Sequence, residues 1–248
     1  MKDIDETKQP LLAHLIELRR RLLWCLATLV VTFFVCFAFA KNIFAILVQP
    51  LLAAGQGKLI YTDIFEAFFT QVKVALWAAF MLSFPMLAIQ LWRFIAPGLY
   101  AKEKKLAIPF VILSSTFFVL GAWFGHSIVF PMSWRFFASM ENSIMKFQPR
   151  LDASFSMYLK MVLAFAVVFQ MPTVVLFLAR MGVVTGRFLM RHFKYAVLII
   201  FIAAAIITPD GSPVTQTFIA GPMVGLYLFS VLLAWIFGKK RRDAEADI

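Results

Sequence analysis

The sequence predicts an all-α integral membrane protein with six transmembrane helices and both termini in the cytoplasm. Three observations lead to this fold class: an excess of apolar residues, six long uncharged stretches, and an uneven distribution of lysine and arginine. Of the 248 residues, 62% are hydrophobic and only 15% are charged. Soluble domains carry roughly a quarter charged and about half apolar residues. The composition therefore excludes a cytosolic enzyme, a secreted disulfide-built module and a disordered tail.

Six apolar stretches, separated by charged residues or turn signals, define the spans of a single membrane domain covering 1–248. About 20 helical residues cross a hydrocarbon core of about 30 Å. The fifth stretch has only fourteen residues, which is roughly 21 Å of helix and short for a bilayer. A turn signal around Asp210 separates it from the sixth. The predicted spans are 22–40, 74–92, 106–134, 161–179, 195–208 and 214–237.

The distribution of basic residues orients these spans. Seventeen of the 24 Lys and Arg residues lie in the N-terminal segment, 93–105, 180–194 and the C-terminal segment. Because cytoplasmic loops are enriched in Lys and Arg, both termini are placed in the cytoplasm. The net charge of +11 then reflects loops beside a membrane, and no nucleic-acid partner is predicted.

Candidate groups for catalysis, redox chemistry or metal binding are few. Cys25 and Cys36 lie eleven residues apart in the first span, about 16 Å along a helix, which is too far for a disulfide. The three histidines are scattered along the chain. No hydrolase, metalloprotease or nucleotide-binding motif occurs. We therefore expect no cofactor, no metal and no enzymatic activity.

The outer segments contain helix start signals. The segment 42–71 is predicted as an outer loop with Pro50, and at its end Asp63 with Glu66 has the spacing of a helix N-cap with a capping-box acid. Asp152 is a similar start signal for the fourth span. Such caps stabilise a helix by about 1 kcal/mol and carry no functional information.

Two acids at helix–membrane junctions on the basic face are candidates for a binding role. Glu17 lies on a predicted amphipathic helix over 10–21, away from its leucine stripe. It has two interpretations: an ordinary i, i+4 pair with Arg21, or a ligand-binding carboxylate. Glu103, in the turn after Pro97, is either a solvated acid among lysines or a second such carboxylate. Their scarcity on this face favours the binding interpretation.

The residues around both acids resemble the signature segments of the TatC family, the receptor subunits of the twin-arginine protein translocase. The first segment is HLIELRRR, residues 14–21, and the second is FIAPGLY, residues 94–100, followed by Glu103-Lys104-Lys105. Similar motifs follow in order at Thr62-Asp63, Gly121, Phe130-Pro131, Pro172 and Thr208-Pro209-Asp210. The resemblance covers nearly the whole chain.

This resemblance implies a glove-shaped, concave six-span bundle with short fifth and sixth spans in the bacterial cytoplasmic (inner) membrane. The implied function is to bind twin-arginine signal peptides of folded precursors and to organise their export, driven by the proton-motive force. TatB-like and TatA-like single-span subunits, membrane lipids and further copies of the chain are the implied partners. The implied signal-peptide residues are Glu17, Glu103, Arg19, Phe94 and Leu99, and Pro50, Asp63, Pro97 and Asp210 match other important positions.

The chain departs from the family pattern at Gln170, where many members carry glutamate. An amide cannot ionise, so this position is not a proton carrier here. Gln170 either bonds the backbone carbonyl of residue 168, which Pro172 leaves without a donor, or contacts a polar residue in a partner's span. The chain departs from the family pattern at two more places: no second proline directly follows Pro209, and Leu228 stands where the family has an acid. The chemistry of the groups inside the membrane is therefore not determined by the resemblance.

Two other function classes, secondary transporters and membrane-embedded enzymes, fit the sequence less well. Secondary transporters usually contain repeats and ionisable groups near the membrane midplane. Here the polar groups of the predicted spans are His126, hydroxyls and amides such as Gln90 and Gln170, and no repeat is visible. A membrane-embedded enzyme would need catalytic residues that the motifs do not supply. The transporter of a small solute or ion remains the alternative.

Overall fold

The computed structural model describes residues 3–53, 63–95, 107–142, 150–208 and 212–238, and within them the side chains of 15–49, 63–94, 108–142, 150–208 and 212–238. Ten α-helices and one π-helical turn account for most of the described residues. In chain order they are α1 (Asp3–Ala38), α2 (Ala40–Ala53), α3 (Glu66–Ile95), α4 (Ala107–Phe124), the π-helical turn (Gly125–Val129), α5 (Phe130–Ala138), α6 (Leu151–Val168), α7 (Met171–Arg180), α8 (Gly186–Arg191), α9 (Phe193–Ile207) and α10 (Pro213–Phe237).

Among the described residues, five helical stretches are long and apolar enough to cross a membrane. Their outward side chains are apolar: Leu22 and Phe34 on α1 are each 66% exposed, as expected where lipid replaces water. The chain is therefore a multi-pass membrane protein. The five stretches are Leu15–Ala38, Glu66–Phe94, Ile108–Ala138, Leu151–Arg180 and Pro213–Phe237.

The last two apolar helices differ in length. Helix α9 has 15 residues, about 22 Å at 1.5 Å per residue, in agreement with the short fifth stretch. Helix α10 has 25 residues and continues through Pro222, which is about 37 Å. The expectation of a short sixth span is therefore wrong. Neighbouring groups in membranes can satisfy the carbonyl that an internal proline leaves free.

The chain forms two compact units, of which the first comprises residues 1–46 and 68–115. In this unit α1 and α3 are antiparallel, as two contacts show. At one end Cys36 and Ala40 pack on Ala75, Ala78 and Ala79. At the other end the residues near 20 face those near 90. Small side chains at the first contact let the two backbones approach closely.

The second unit comprises residues 47–67 and 116–248. Here the π-helical turn packs against α6, and His126 Nδ1 lies 2.7 Å from the Tyr158 hydroxyl. Helix α10 contacts α7, α8 and α9. The Tyr227 hydroxyl of α10 donates to the Leu189 carbonyl of α8, at 2.8 Å, which ties the short connection between α7 and α9 to the bundle.

Glu66 joins the first turns of two helices within the second unit. The capping box predicted at Asp63 is present, since Asp63 Oδ1 accepts from the Phe65 N–H at 2.8 Å and the Asp63 N–H donates to Glu66 Oε2 at 3.4 Å. Glu66 Oε1 also accepts from the Asp152 N–H at 2.6 Å. The predicted role of Asp152 as the cap of the fourth span is wrong, because α6 begins at Leu151 and the carboxylate at its start comes from α3.

The prediction of an outer loop at Pro50 is also wrong. Residues 40–53 form α2, and Pro50 lies in its last turn. The apolar residues of this segment continue at helical spacing after the single turn residue Phe39, so the helix needs no further signal. Pro50 has no backbone N–H to donate to the carbonyl of residue 46, and the helix ends three residues later.

Candidate functional site

A pocket of about 460 Å³ lies between α1 and α3 in the first unit. Its lining combines three guanidinium groups, one carboxylate, one amide and two apolar side chains. The residues are Glu17, Arg20, Arg21 and Trp24 from α1, and Met86, Gln90 and Arg93 from α3.

Helical spacing explains why these residues share one pocket. Positions 17, 20, 21 and 24 are separated by three and four residues, so they lie on one face of α1. Positions 86, 90 and 93 are related in the same way on α3. Because the two helices are antiparallel neighbours, the two faces meet. The pocket lies where charged residues give way to the uncharged run of each helix.

Glu17 and Arg21 form the ion pair that one interpretation of the sequence predicted. Arg21 Nε donates to Glu17 Oε1 at 3.1 Å, and Arg21 Nη2 donates to the same oxygen. The Glu17 side chain is 35% exposed and that of Arg21 19%, so solvent screens the pair and its contribution to stability is small. A carboxylate offers about four acceptor positions. A carboxylate can therefore accept from more than one guanidinium group.

The other predicted signal-peptide residues are only partly described. Arg19 is exposed on α1, and Phe94 is half-buried near the end of α3, but neither lines the pocket. Asp63 caps α3, and the backbone of Pro50 lies in α2. Pro97, Leu99, Glu103 and Asp210 lie outside the described residues, so the expected pairing of Glu17 with Glu103 in one site stays a prediction.

Sequence reasoning missed Gln90 and Arg93 as site residues. Gln90 lies inside the predicted second span, 74–92, and Arg93 directly follows it, but the sequence pattern gives neither a binding role. Gln90 is 6% exposed and nevertheless lines the pocket. The signal that could have found them is a polar residue three positions before the arginine that follows the span. It points to the pocket only once α1 and α3 are known to be neighbours.

Gln170 lies at a break between two helices. Helix α6 ends at Val168 and α7 begins at Met171, with Pro172 in its first turn. The Gln170 carbonyl accepts from the Val174 N–H at 2.9 Å, and its side chain is half-buried. The break lies where the carbonyl of Val168 has no helical donor, because Pro172 has no backbone N–H.

Comparisons with known proteins point to one family. Residues 13–222 match the family model described as Sec-independent protein translocase protein (TatC). The protein named Sec-independent protein translocase protein TatC of Desulforapulum autotrophicum is 42% identical over 245 residues, which cover 98% of this chain and 90% of that protein. The protein of the same name from Helicobacter pylori strain J99 is 39% identical over 234 residues, covering 94% of this chain and 92% of that protein.

A solved structure agrees with these relatives. The structure titled as the crystal structure of the twin-arginine translocase receptor TatC superposes with a TM-score of 0.80 at 35% identity. The match covers 89% of this chain and 97% of that chain. Family model, relatives and structure all extend over most of the sequence, as the two signature segments had indicated. The chain belongs to the TatC family of Sec-independent protein translocase proteins.

Proposed function

We propose that this protein is the receptor and core subunit of a twin-arginine translocase in a bacterial cytoplasmic membrane. It binds the twin-arginine signal peptides of folded precursors and, with TatB-like and TatA-like single-span subunits, organises their export by the proton-motive force. The observation that carries this proposal is the Glu17 carboxylate in the α1–α3 pocket of a TatC-family chain. A small-solute transporter is not favoured, because the relatives are named as protein translocases.

The chemistry of the site suits arginine in particular. A guanidinium donates two parallel N–H bonds to a carboxylate, whereas a lysine ammonium acts as a compact point charge. Glu17 accepts two guanidinium N–H bonds from Arg21, both on Oε1. Glu103 is the proposed second carboxylate, with Arg19, Phe94 and Leu99 beside the peptide. The three arginines of the pocket disfavour peptides that are merely cationic, so placement of the two guanidinium groups decides selectivity.

The direct test is binding of matched peptides to the full-length protein. A signal peptide with its arginine pair should bind at least tenfold more tightly than the same peptide with two lysines, because each lost bidentate bond weakens binding by about 1.5–3 kcal/mol. The affinity is measured by fluorescence anisotropy of labelled peptides. Equal affinities for both peptides would contradict the proposed recognition.

The proposed topology has six spans, with α9 as the fifth, and both termini in the cytoplasm. Gly57 and Lys146 are then outside and Lys104 inside. In a background with Cys25→Ala and Cys36→Ala, single cysteines at 57 and 146 should react in intact cells with a membrane-impermeant maleimide. A cysteine at 104 should react only after the membrane is opened. Protection at 57 and 146 together with reaction at 104 would reverse the proposed orientation.

Gln170 is the proposed contact with the single span of a partner subunit. Gln170→Leu should weaken crosslinking to that span, because an interhelical hydrogen bond in lipid contributes about 0.6 and at most about 2 kcal/mol, a factor of about three to thirty. Gln170→Glu should keep export, since a protonated acid offers the same donor and acceptor.

Signal-peptide binding is the control in the Gln170 experiment, because the peptide site is on other helices and its affinity should not change. If Gln170→Leu crosslinks as efficiently as the unmodified protein, the side chain has no interhelical role. Gln170 then acts only at the break between α6 and α7.

A further inference from the structure

The α1–α3 pocket contains more positive charge than its own carboxylate balances. Of its three arginines, Arg21 is paired with Glu17. Arg20 and Arg93 are exposed and have no ion-pair partner among the residues that the structure describes. Two guanidinium groups beside one cavity repel each other, and an anion bound between them would offset this repulsion. This arrangement therefore suits an anionic ligand.

Gln90 adds a buried polar group to the same cavity. The residue is 6% exposed and lines the pocket together with Arg93 of the same helix. Buried polar side chains are nearly always hydrogen-bonded to protein, water or ligand. An anion held between Arg20 and Arg93 would be an acceptor for the Gln90 N–H groups.

The remaining lining residues are apolar and lie at the membrane boundary. Trp24 is 55% exposed and Met86 is half-buried. Trp is enriched at membrane–water interfaces, where its ring contacts both headgroups and acyl chains. The exposed side chains next to Trp24 are also apolar, with Leu22 66% and Leu23 55% exposed. A ligand in this pocket would therefore meet charge on one side and lipid on the other.

We propose that the α1–α3 pocket binds the phosphate of an anionic phospholipid, with its acyl chains along Trp24 and Met86. Arg20 and Arg93 donate to the phosphate oxygens as charge-assisted hydrogen bonds, and the Gln90 amide donates to a further oxygen. Basic pockets between transmembrane helices are a known way of holding such headgroups. The apolar wall favours a lipid over free phosphate, because inorganic phosphate would leave Trp24 and Met86 without a partner.

The test is a lipid titration of the full-length protein in detergent, with bound lipids counted by native mass spectrometry. Phosphatidylglycerol should bind at least tenfold more tightly than phosphatidylcholine, since only the former keeps a net negative charge. The double variant Arg20→Gln/Arg93→Gln should lose tenfold or more of the phosphatidylglycerol affinity. Gln90→Leu, which keeps the volume and all charges, should lower the affinity less but measurably.

A matched control removes two charges elsewhere. Arg187 and Arg191 are exposed on α8, so Arg187→Gln/Arg191→Gln has the same net charge as the pocket variant and should bind phosphatidylglycerol normally. Equal losses in the two double variants, or no loss in the pocket variant, would overturn the proposal. Full displacement of the lipid by millimolar inorganic phosphate would assign the pocket to free phosphate instead. Because no signal peptide is present, failure here is distinguishable from failure of the proposed receptor function.

Discussion

Replacing Glu17 and Glu103 together by alanine is expected to weaken binding of a twin-arginine peptide by about a hundredfold. A hydrogen bond to a charged group contributes about 1.5–3 kcal/mol, so each single variant should lose tenfold or more. The two losses should add if each carboxylate takes a separate arginine. The variants should fold normally, because the Glu17 side chain is 35% exposed and alanine is the best helix former.

The control for this experiment is another acid on the same helix. Glu6→Ala also removes one carboxylate from α1, eleven residues and about 16 Å from Glu17. Its effect should be small, because charges separated by more than a Debye length of about 8 Å are largely screened. Unchanged affinity of the Glu17→Ala/Glu103→Ala variant, or an equal loss with Glu6→Ala, would remove these two acids from the binding site.

The second large effect is expected at the contact between α4 and α6. A Cβ at Gly121 would lie 2.6 Å from the Phe165 carbonyl oxygen and 2.9 Å from the Ala166 Cα. Both are backbone atoms, so relief requires the helices to separate. Gly121→Ala should therefore lower the free energy of unfolding by about 1–3 kcal/mol, the usual cost of overpacking. The melting temperature in detergent, followed by tryptophan fluorescence, should fall by several degrees.

The chain provides a matched control for Gly121. Gly225 is also inside a helix, but a Cβ there would meet nothing within 4 Å. Gly225→Ala should leave stability unchanged or raise it by up to about 1 kcal/mol, because alanine has the higher helix propensity. Melting temperatures that fall equally in both variants would show that the α4–α6 contact is not as close as described.

Much of the secondary structure could be predicted from the residues alone. Uncharged stretches near 20 residues predict helices that cross a membrane, and such helices lie at five of the six predicted positions. The capping box at Asp63 and the Glu17–Arg21 pair were predictable for the same reason, since both depend on residues three or four positions apart. The bounds of the sixth span, 214–237, were predictable from its apolar run and agree with α10, whereas the short sixth span implied by the family resemblance was wrong.

Contacts between distant segments were decided only by the tertiary structure. At the start of α6 the Asp152 N–H donates to the carboxylate of Glu66. These two residues are 86 positions apart in the sequence. Gln90 and Arg93 join Glu17 in one pocket only because α1 and α3 are packed antiparallel. Insertion into a membrane, helix length and local caps depend on composition and on short residue spacings, so the sequence by itself determined them. Which helix faces touch depends on close packing of small residues such as Ala40 and Ala79, and no local pattern specifies that partner.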